Sequence, residues 1–232
     1  MKNYLLDIFF PRFCFGCGKE GTYLCQDCQS CLEVIEDNFC LCENPKRLPE
    51  SGKCGSCQRK KLDGLFFAVS YQNKIVKKLI QEFKYEPFIK DLAEPLTNLI
   101  INHILLLNEE NRFRKGDVLI PIPLSKRKLK SRGFNQAEEI AKELSKELKI
   151  PVVADCLIKT KENLPQMELS GKERIENIKG VFEIRNKEKI QNKKILLVDD
   201  VYTTGATMEE CAKILKQAGA KEVWGVVIAR EK

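Results

Sequence analysis

The stretch ILLVDDVYTTGAT, residues 195–207, runs four apolar residues into two adjacent carboxylates, Asp199 and Asp200, and then into a Thr-Thr-Gly turn. Four consecutive apolar residues are the pattern of a strand buried on both faces, and the spacing in MEECAKILKQAGA (208–220) predicts a helix directly after the turn. Two neighbouring charges at the end of a buried strand are costly unless a ligand uses them. A Walker B strand also ends in Asp, but the chain has no G-x-x-x-x-G-K-[ST] loop. A receiver domain can open on a similar string, but it needs a whole domain downstream of the acids.

The turn carries a second ligand signature. Backbone N–H groups of residues 202–207 and of the following helix N-terminus converge on one point, which favours a phosphate. Gly205 permits close approach of the main chain, and Thr203, Thr204 and Thr207 add hydroxyl donors. The carboxylates one step away favour hydroxyl donors or a hydrated metal ion. A phosphorylated sugar with vicinal hydroxyls satisfies both halves.

Outward from this stretch, strands alternate with helices. GLFFAVSY (64–71), DVLIPIPLS (117–125), PVVADCLIK (151–159), GVFEI (180–184) and EVWGVVIAR (222–230) read as strands. KIVKKLIQEFKY, DLAEPLTNLIINHILLLN and NQAEEIAKELSKELKI read as helices, the last with Ala137, Ile140, Leu144 and Leu148 on one face. This order predicts a mostly parallel α/β sheet whose ligand lies beyond the strand C-termini. His103, the only histidine, falls in an apolar helix and reads as structural.

The first 62 residues have a different texture. Nine of the 11 cysteines lie there, among glycines and prolines and without long periodicity. Cys14, Cys17, Cys25 and Cys28 form two C-x-x-C hooks, the spacing of a tetrahedral zinc site, with Gly16 and Gly18 permitting a tight knuckle. Cys40, Cys42, Cys54 and Cys57 offer a second zinc site, although the C-x-C hook is one residue short. Cys31 makes a ninth thiol, so the ligand register stays open at this level; Cys156 and Cys211 read as inert core. The expected division is residues 1–62 as a zinc-ribbon module and 63–232 as the ligand-binding domain.

A net charge of +7 suits an anionic partner. Much of the excess lies in LSKRKLKSRGFNQ (124–136), with Lys126, Arg127, Lys128, Lys130 and Arg132 beside Phe134. These charges suit phosphate contact, and their surplus suits a single-stranded DNA backbone with Phe134 available for base stacking. The N-terminal MKNYLLDIFFPRFC is interrupted by Asp7 and carries no cleavage site, and LIINHILLL (99–107) is too short to span a bilayer. A cytoplasmic location and reduced, metal-binding thiols are therefore expected.

Residues 195–207 resemble the phosphoribosyl-pyrophosphate (PRPP) motif of type I phosphoribosyltransferases. Together with IPIPLSKRKLKSRGFNQA (120–137), LPQMELSGKERIENIKGVFEI (164–184) and the cysteine-rich start, the chain is identified as a member of the ComF family. The resemblance implies the type I phosphoribosyltransferase fold with a small N-terminal zinc-ribbon module. It places ribose hydroxyls on Asp199 and Asp200, and the 5′-phosphate on the turn from Tyr202 through Thr203, Thr204, Gly205 and Ala206 to Thr207. Pyrophosphate, carried with Mg2+, falls to Ser125, Lys126 and Arg127, under a hood over 161–179 in which Gln166, Arg174 and Asn177 match family positions and Arg174 closes on the pyrophosphate. Asp199, Asp200 and Arg174 are the candidate catalytic residues. The implied role is handling of incoming single-stranded DNA in natural competence, alongside competence proteins such as a helicase-like translocase. An active phosphoribosyltransferase is the alternative reading, and a zinc-ribbon scaffold with a vestigial PRPP site a third.

Overall fold

The computed structural model describes residues 11–109, 112–114, 116–161 and 178–231. The cysteine-rich region holds a five-residue helix, α1 (Gln26–Ser30), and a two-residue antiparallel pair, β1 (Asn38–Phe39) with β2 (Arg47–Leu48). Then come β3 (Gly64–Ser70), α2 (Lys74–Lys84), α3 (Ala93–Leu106), β4 (Val118–Pro121), α4 (Lys126–Arg132) and α5 (Gln136–Leu148). The antiparallel pair β5 (Leu157–Lys159) and β6 (Phe182–Ile184) follows, and then β7 (Lys194–Val198), β8 (Val201–Tyr202), α6 (Ala206–Gln217) and β9 (Glu222–Arg230).

The central sheet has the order β3-β9-β7-β4, every pair parallel, as the alternation of strands and helices predicts. Strand side chains divide between its faces. Phe66, Ala68, Leu119, Leu196, Val198 and Trp224 pack with α2, α3 and α5; Leu65, Phe67, Ile120, Ile195, Leu197 and Val223 pack with α6. Both faces are covered, which explains why the strands read as continuous apolar runs rather than as alternation.

The stretch 151–159 differs from the single strand expected. Val152 extends the central sheet by bridging Leu119 in parallel, whereas Leu157–Lys159 pairs antiparallel with β6. A turn at Ala154–Asp155 separates them, and the Asp155 carboxylate is held there by Lys189 and by Asn186 Nδ2 at 2.8 Å. One run of strand-forming residues thus serves two sheets.

The cysteine-rich region is built into both cores. Leu24 and Leu32 are buried with the α2–α3 face, and Leu41 and Leu62 with the α6 face. Between them Ile35 donates its N–H to the Ala68 carbonyl at 2.8 Å, so the region straddles and covers the β3 edge of the sheet. His103 is buried between Phe66 and Phe67 with Nδ1 2.6 Å from the Ile35 carbonyl; burial lowers its pKa, and the neutral ring is structural. Among the described residues no helix is long and apolar enough to cross a membrane.

Candidate functional site

The acid pair stands where one ladder is interrupted. β7 ends at Val198 opposite Val226, and β8 resumes at Val201 opposite Ala229 in the same register on the same neighbour, β9. Asp199 and Asp200 occupy the gap. The Asp199 N–H still donates to Val226, and the Asp200 carbonyl accepts from Ile228 at 3.0 Å, so the backbone is pinned on both sides while two side chains are released from the pleat. All strands run the same way, which places the pair at the carboxyl end of the sheet.

The two carboxylates have unequal surroundings. Asp200 is 7% exposed, and its Oδ1 lies 2.8 Å from Lys84 Nζ at the last residue of α2. Burial disfavours the charged form of Lys84, but Asp200, with Asp199 behind it, outweighs that, and the lysine pKa is raised. Asp199 is partly exposed, accepts the Asp200 N–H at 2.9 Å, and its pKa is pushed up to about 7 by burial and by its charged neighbour, with Lys84 opposing. The pair therefore joins an acid bound to the Lys84 ammonium to one that titrates near neutrality.

The turn follows at once. Thr203 and Thr204 are exposed, and Gly205 has φ +77° and begins α6, where the first N–H groups have no acceptor within the helix. Thr204 Oγ1 accepts from Ala206 N at 3.4 Å. A Cβ on Gly205 would lie 2.2 Å from Tyr202 Oη, so the glycine is required both by its dihedral and by contact. Tyr202 itself is 3% exposed; its ring lies 5.3 Å from the Arg230 guanidinium, and its hydroxyl is 3.3 Å from Lys60 Nζ. Its side chain thus floors the turn. Ala206 is buried and Thr207 partly exposed.

The basic segment reaches the same end of the sheet. Pro121 on β4 pairs with Val198 on β7, and Ile122 N donates to the Val198 carbonyl at 2.9 Å, so the residues after each strand emerge side by side. Ser125 is buried and caps α4 by accepting from Lys128 N at 3.4 Å, while Lys126, Arg127 and Lys130 are exposed. Arg132 donates to Gln136 Oε1 at 3.0 Å and lies over the Tyr85 ring. The Phe134 ring is half-buried against Phe83, with centroids 5.5 Å apart. Arg174, Gln166 and Asn177 fall outside the described residues.

Three supports went unnoticed in the sequence. Lys84 is one; an amphipathic helix ending in lysine is too common to single out. Asn135 caps α5 and donates Nδ2 to the Ile122 carbonyl at 3.0 Å, and buried Gln136 donates to the Phe83 carbonyl at 2.9 Å. The NQA triplet therefore braces both the loop after β4 and the helix end that carries Lys84.

The thiols settle into two tetrads: Cys14, Cys17, Cys25 and Cys28, and Cys40, Cys42, Cys54 and Cys57, with all ligand atoms in each within 4.8 Å of one another. Sulfur–sulfur distances of 3.6 Å (Cys17–Cys25), 3.5 Å (Cys42–Cys54) and 3.7 Å (Cys54–Cys57) match the edge of about 3.8 Å implied by Zn–S bonds of about 2.3 Å. Main-chain N–H groups of Cys25 and Lys46 point at the sulfurs of Cys14 and Cys40. A Cβ on Gly16 would lie 2.6 Å from Cys28 Sγ, which fixes that knuckle. The donor sets fit structural zinc. The short C-x-C hook serves as well as C-x-x-C, and Cys31 is the exposed thiol outside both tetrads. Cys156 and Cys211 are fully buried core residues, as expected.

The second tetrad is joined to the turn. Arg230 donates to the carbonyls of Cys40, at 2.8 Å, and Cys42, and Lys60 donates to the Leu41 carbonyl at 2.6 Å. Both cations also meet Tyr202, while Glu209 on α6 accepts from Lys61 N at 2.7 Å.

Comparison with known proteins agrees with this geometry. Residues 106–232 match the phosphoribosyl transferase domain. Competence protein F of Haemophilus influenzae is 29% identical over 223 residues, covering 95% of this chain and 86% of the relative. Competence protein ComFC of Streptococcus pneumoniae is 32% identical, covering 88% and 86%. The DNA utilization protein YhgH of Escherichia coli O157:H7 is 30% identical, covering 63% and 64%. The chain belongs to the phosphoribosyl transferase domain family and, within it, to the ComF group of competence proteins.

Proposed function

We propose that this chain binds PRPP with Mg2+ and, as a ComF-type protein, supports the handling of single-stranded DNA in natural competence. The observation that carries the ligand assignment is the placing of Asp199 and Asp200 in the ladder gap, directly before the Thr203–Gly205 turn and alongside the loop after β4. Ribose hydroxyls donate to the acids, the 5′-phosphate takes the turn and the α6 N-terminus, and Lys126 and Arg127 face the pyrophosphate with its Mg2+. Arg174 completes the pyrophosphate contacts from the hood. The names of the similar proteins, competence proteins and a DNA utilization protein, support the DNA half. The exposed Lys126 and Lys130, with Lys128 and Arg132, offer a phosphate-tracking face, and Phe134 an aromatic edge. The protein works in the cytoplasm with a translocase-type partner, and two zinc ions hold its N-terminal module, residues 1–62, against the PRPP domain, residues 63–232.

Equilibrium binding of PRPP with and without Mg2+ tests this reading. Asp199→Asn/Asp200→Asn should weaken Mg2+-dependent binding at least tenfold, the loss of hydrogen bonds to charged groups worth about 1.5–3 kcal/mol each. Absence of Mg2+-dependent binding by the wild type overturns it.

Transfer of the phosphoribosyl group is a second reading, favoured by the placing of two carboxylates at the carboxyl end of the sheet, where they can stabilise positive charge developing on the ribose. Pyrophosphate release from PRPP against a panel of amine and base acceptors decides it.

A further inference from the structure

Two clefts lie away from the acids and the turn. One of them, of about 460 Å3, lies at the opposite, amino-terminal end of the sheet. Three loops form it, each leading into a strand: Arg112 and Arg114 before β4, Lys193 and Lys194 at the start of β7, and Lys221 before β9. Five cations thus converge from chain positions more than 100 residues apart.

The loops are locked together. Lys221 N donates to the Lys193 carbonyl at 2.9 Å, Asn192 N to the Gly219 carbonyl at 2.9 Å, and Lys194 Nζ to the Arg112 carbonyl at 3.1 Å. Arg112 and Lys194 both lie over the buried Trp224 ring, which fixes their stems. Two acids line the cleft as well: Asp117 accepts from Arg114 N at 2.9 Å, and Glu222 from Trp224 Nε1 at 2.9 Å, so five cations face two carboxylates. Arg112 is paired with Glu109, but Arg114, Lys193 and Lys221 have no ion-pair partner among the described residues. A pinned floor therefore presents three cations without direct ion pairs, and cations outnumber acids along the lining.

We propose that this cleft is a second anion site, separate from the PRPP site, that contacts the sugar-phosphate backbone of single-stranded DNA. The site offers charge without shape. Among the described residues it has no helix N-terminus and no cluster of hydroxyls, the donors that enclose a compact phosphate at the opposite end of the sheet. Trp224 is 5% exposed beneath the cations, and Phe113 packs edge-on against Phe66 under Lys194, so neither ring offers an open face for base stacking. Long cationic stems on a rigid floor suit a polyanion whose charges repeat, read without regard to sequence. The assignment rests on the DNA-handling role proposed above.

The test is binding of a labelled oligo-thymidine by the full chain across a salt series. Arg114→Gln/Lys193→Gln/Lys221→Gln should lower affinity and reduce the slope of log K against log salt by about 2, since each single-strand phosphate contact contributes about 0.7. Thermal unfolding and PRPP binding of this variant should match the wild type. Lys126→Gln/Lys130→Gln serves as the comparison at the other end of the sheet. An unchanged slope and affinity in the triple variant overturns the cleft assignment while leaving DNA binding elsewhere intact. Absence of oligonucleotide binding by the wild type overturns the DNA role itself. A second equivalent of inorganic pyrophosphate bound by the wild type and lost in the triple variant would assign the cleft to a small free phosphate and overturn the strand proposal.

Discussion

Lys84 Nζ sits 2.8 Å from Asp200 Oδ1, joining the end of α2 to the acid pair across 116 positions of chain. The ammonium is what allows two adjacent carboxylates to share the end of a buried strand. Lys84→Met should destabilise the fold by about 1–3 kcal/mol, the penalty of a buried charged group left without its partner. It should also weaken PRPP binding at pH 7, because Asp199 then holds its proton more firmly, with Lys84→Arg recovering part of the loss. Chemical denaturation and PRPP titration of the two variants check this.

Asp199 gives the site a pH dependence of definite sign. Its pKa rises from 3.8 to about 7 on folding, so between those values the folded chain binds a proton that the unfolded chain releases. This group's contribution to stability therefore falls as pH rises from about 4 to about 7. Asp199→Asn should be more stable than wild type at pH 8 and converge with it near pH 4. Ligand hydroxyls favour the ionised acid, so PRPP binding should tighten as pH rises through 7. Denaturation midpoints and PRPP affinities between pH 5 and pH 8 measure both trends.

Gly205→Ala should disable the turn. Its φ of +77° costs a side-chain-bearing residue about 1–2 kcal/mol, and the added Cβ meets Tyr202 Oη at 2.2 Å. Tyr202→Phe alone, which removes only the hydroxyl facing Lys60, should cost about 1 kcal/mol. Combining it with Gly205→Ala should relieve part of the clash. Thermal unfolding with and without PRPP distinguishes the three.

Metal content should be two zinc ions per chain by elemental analysis. Cys25→Ser or Cys54→Ser should leave about one, and Cys31→Ser should leave two. Because Leu24, Leu32, Leu41 and Leu62 lie inside the cores of the sheet, chelation should lower the unfolding temperature of the whole chain rather than release a separate module.

Much of this protein is legible one segment at a time. The run Ile195–Val198, the acids after it, the Thr-Thr-Gly turn and the α6 periodicity are contiguous, and their meaning rests on local rules of strand burial, helix termini and glycine dihedrals. The same holds for the paired C-x-x-C hooks and for the parallel α/β order. What lay beyond reading was juxtaposition. Nothing near Lys84 announces Asp200, nothing in NQA announces the loop after β4, and a string of strand-formers at 151–159 carries no mark of dividing between two sheets. Nor does the spacing of nine thiols name Cys31 as the spare one. The sequence alone therefore showed which residue types stand on which element. Which cation neutralises which acid, which carbonyls anchor the turn to the second thiol tetrad, and which loops gather charge beneath the sheet were settled only when packing brought distant segments together. Propensity and periodicity act over a few residues, whereas those contacts follow from the geometry of one shared core.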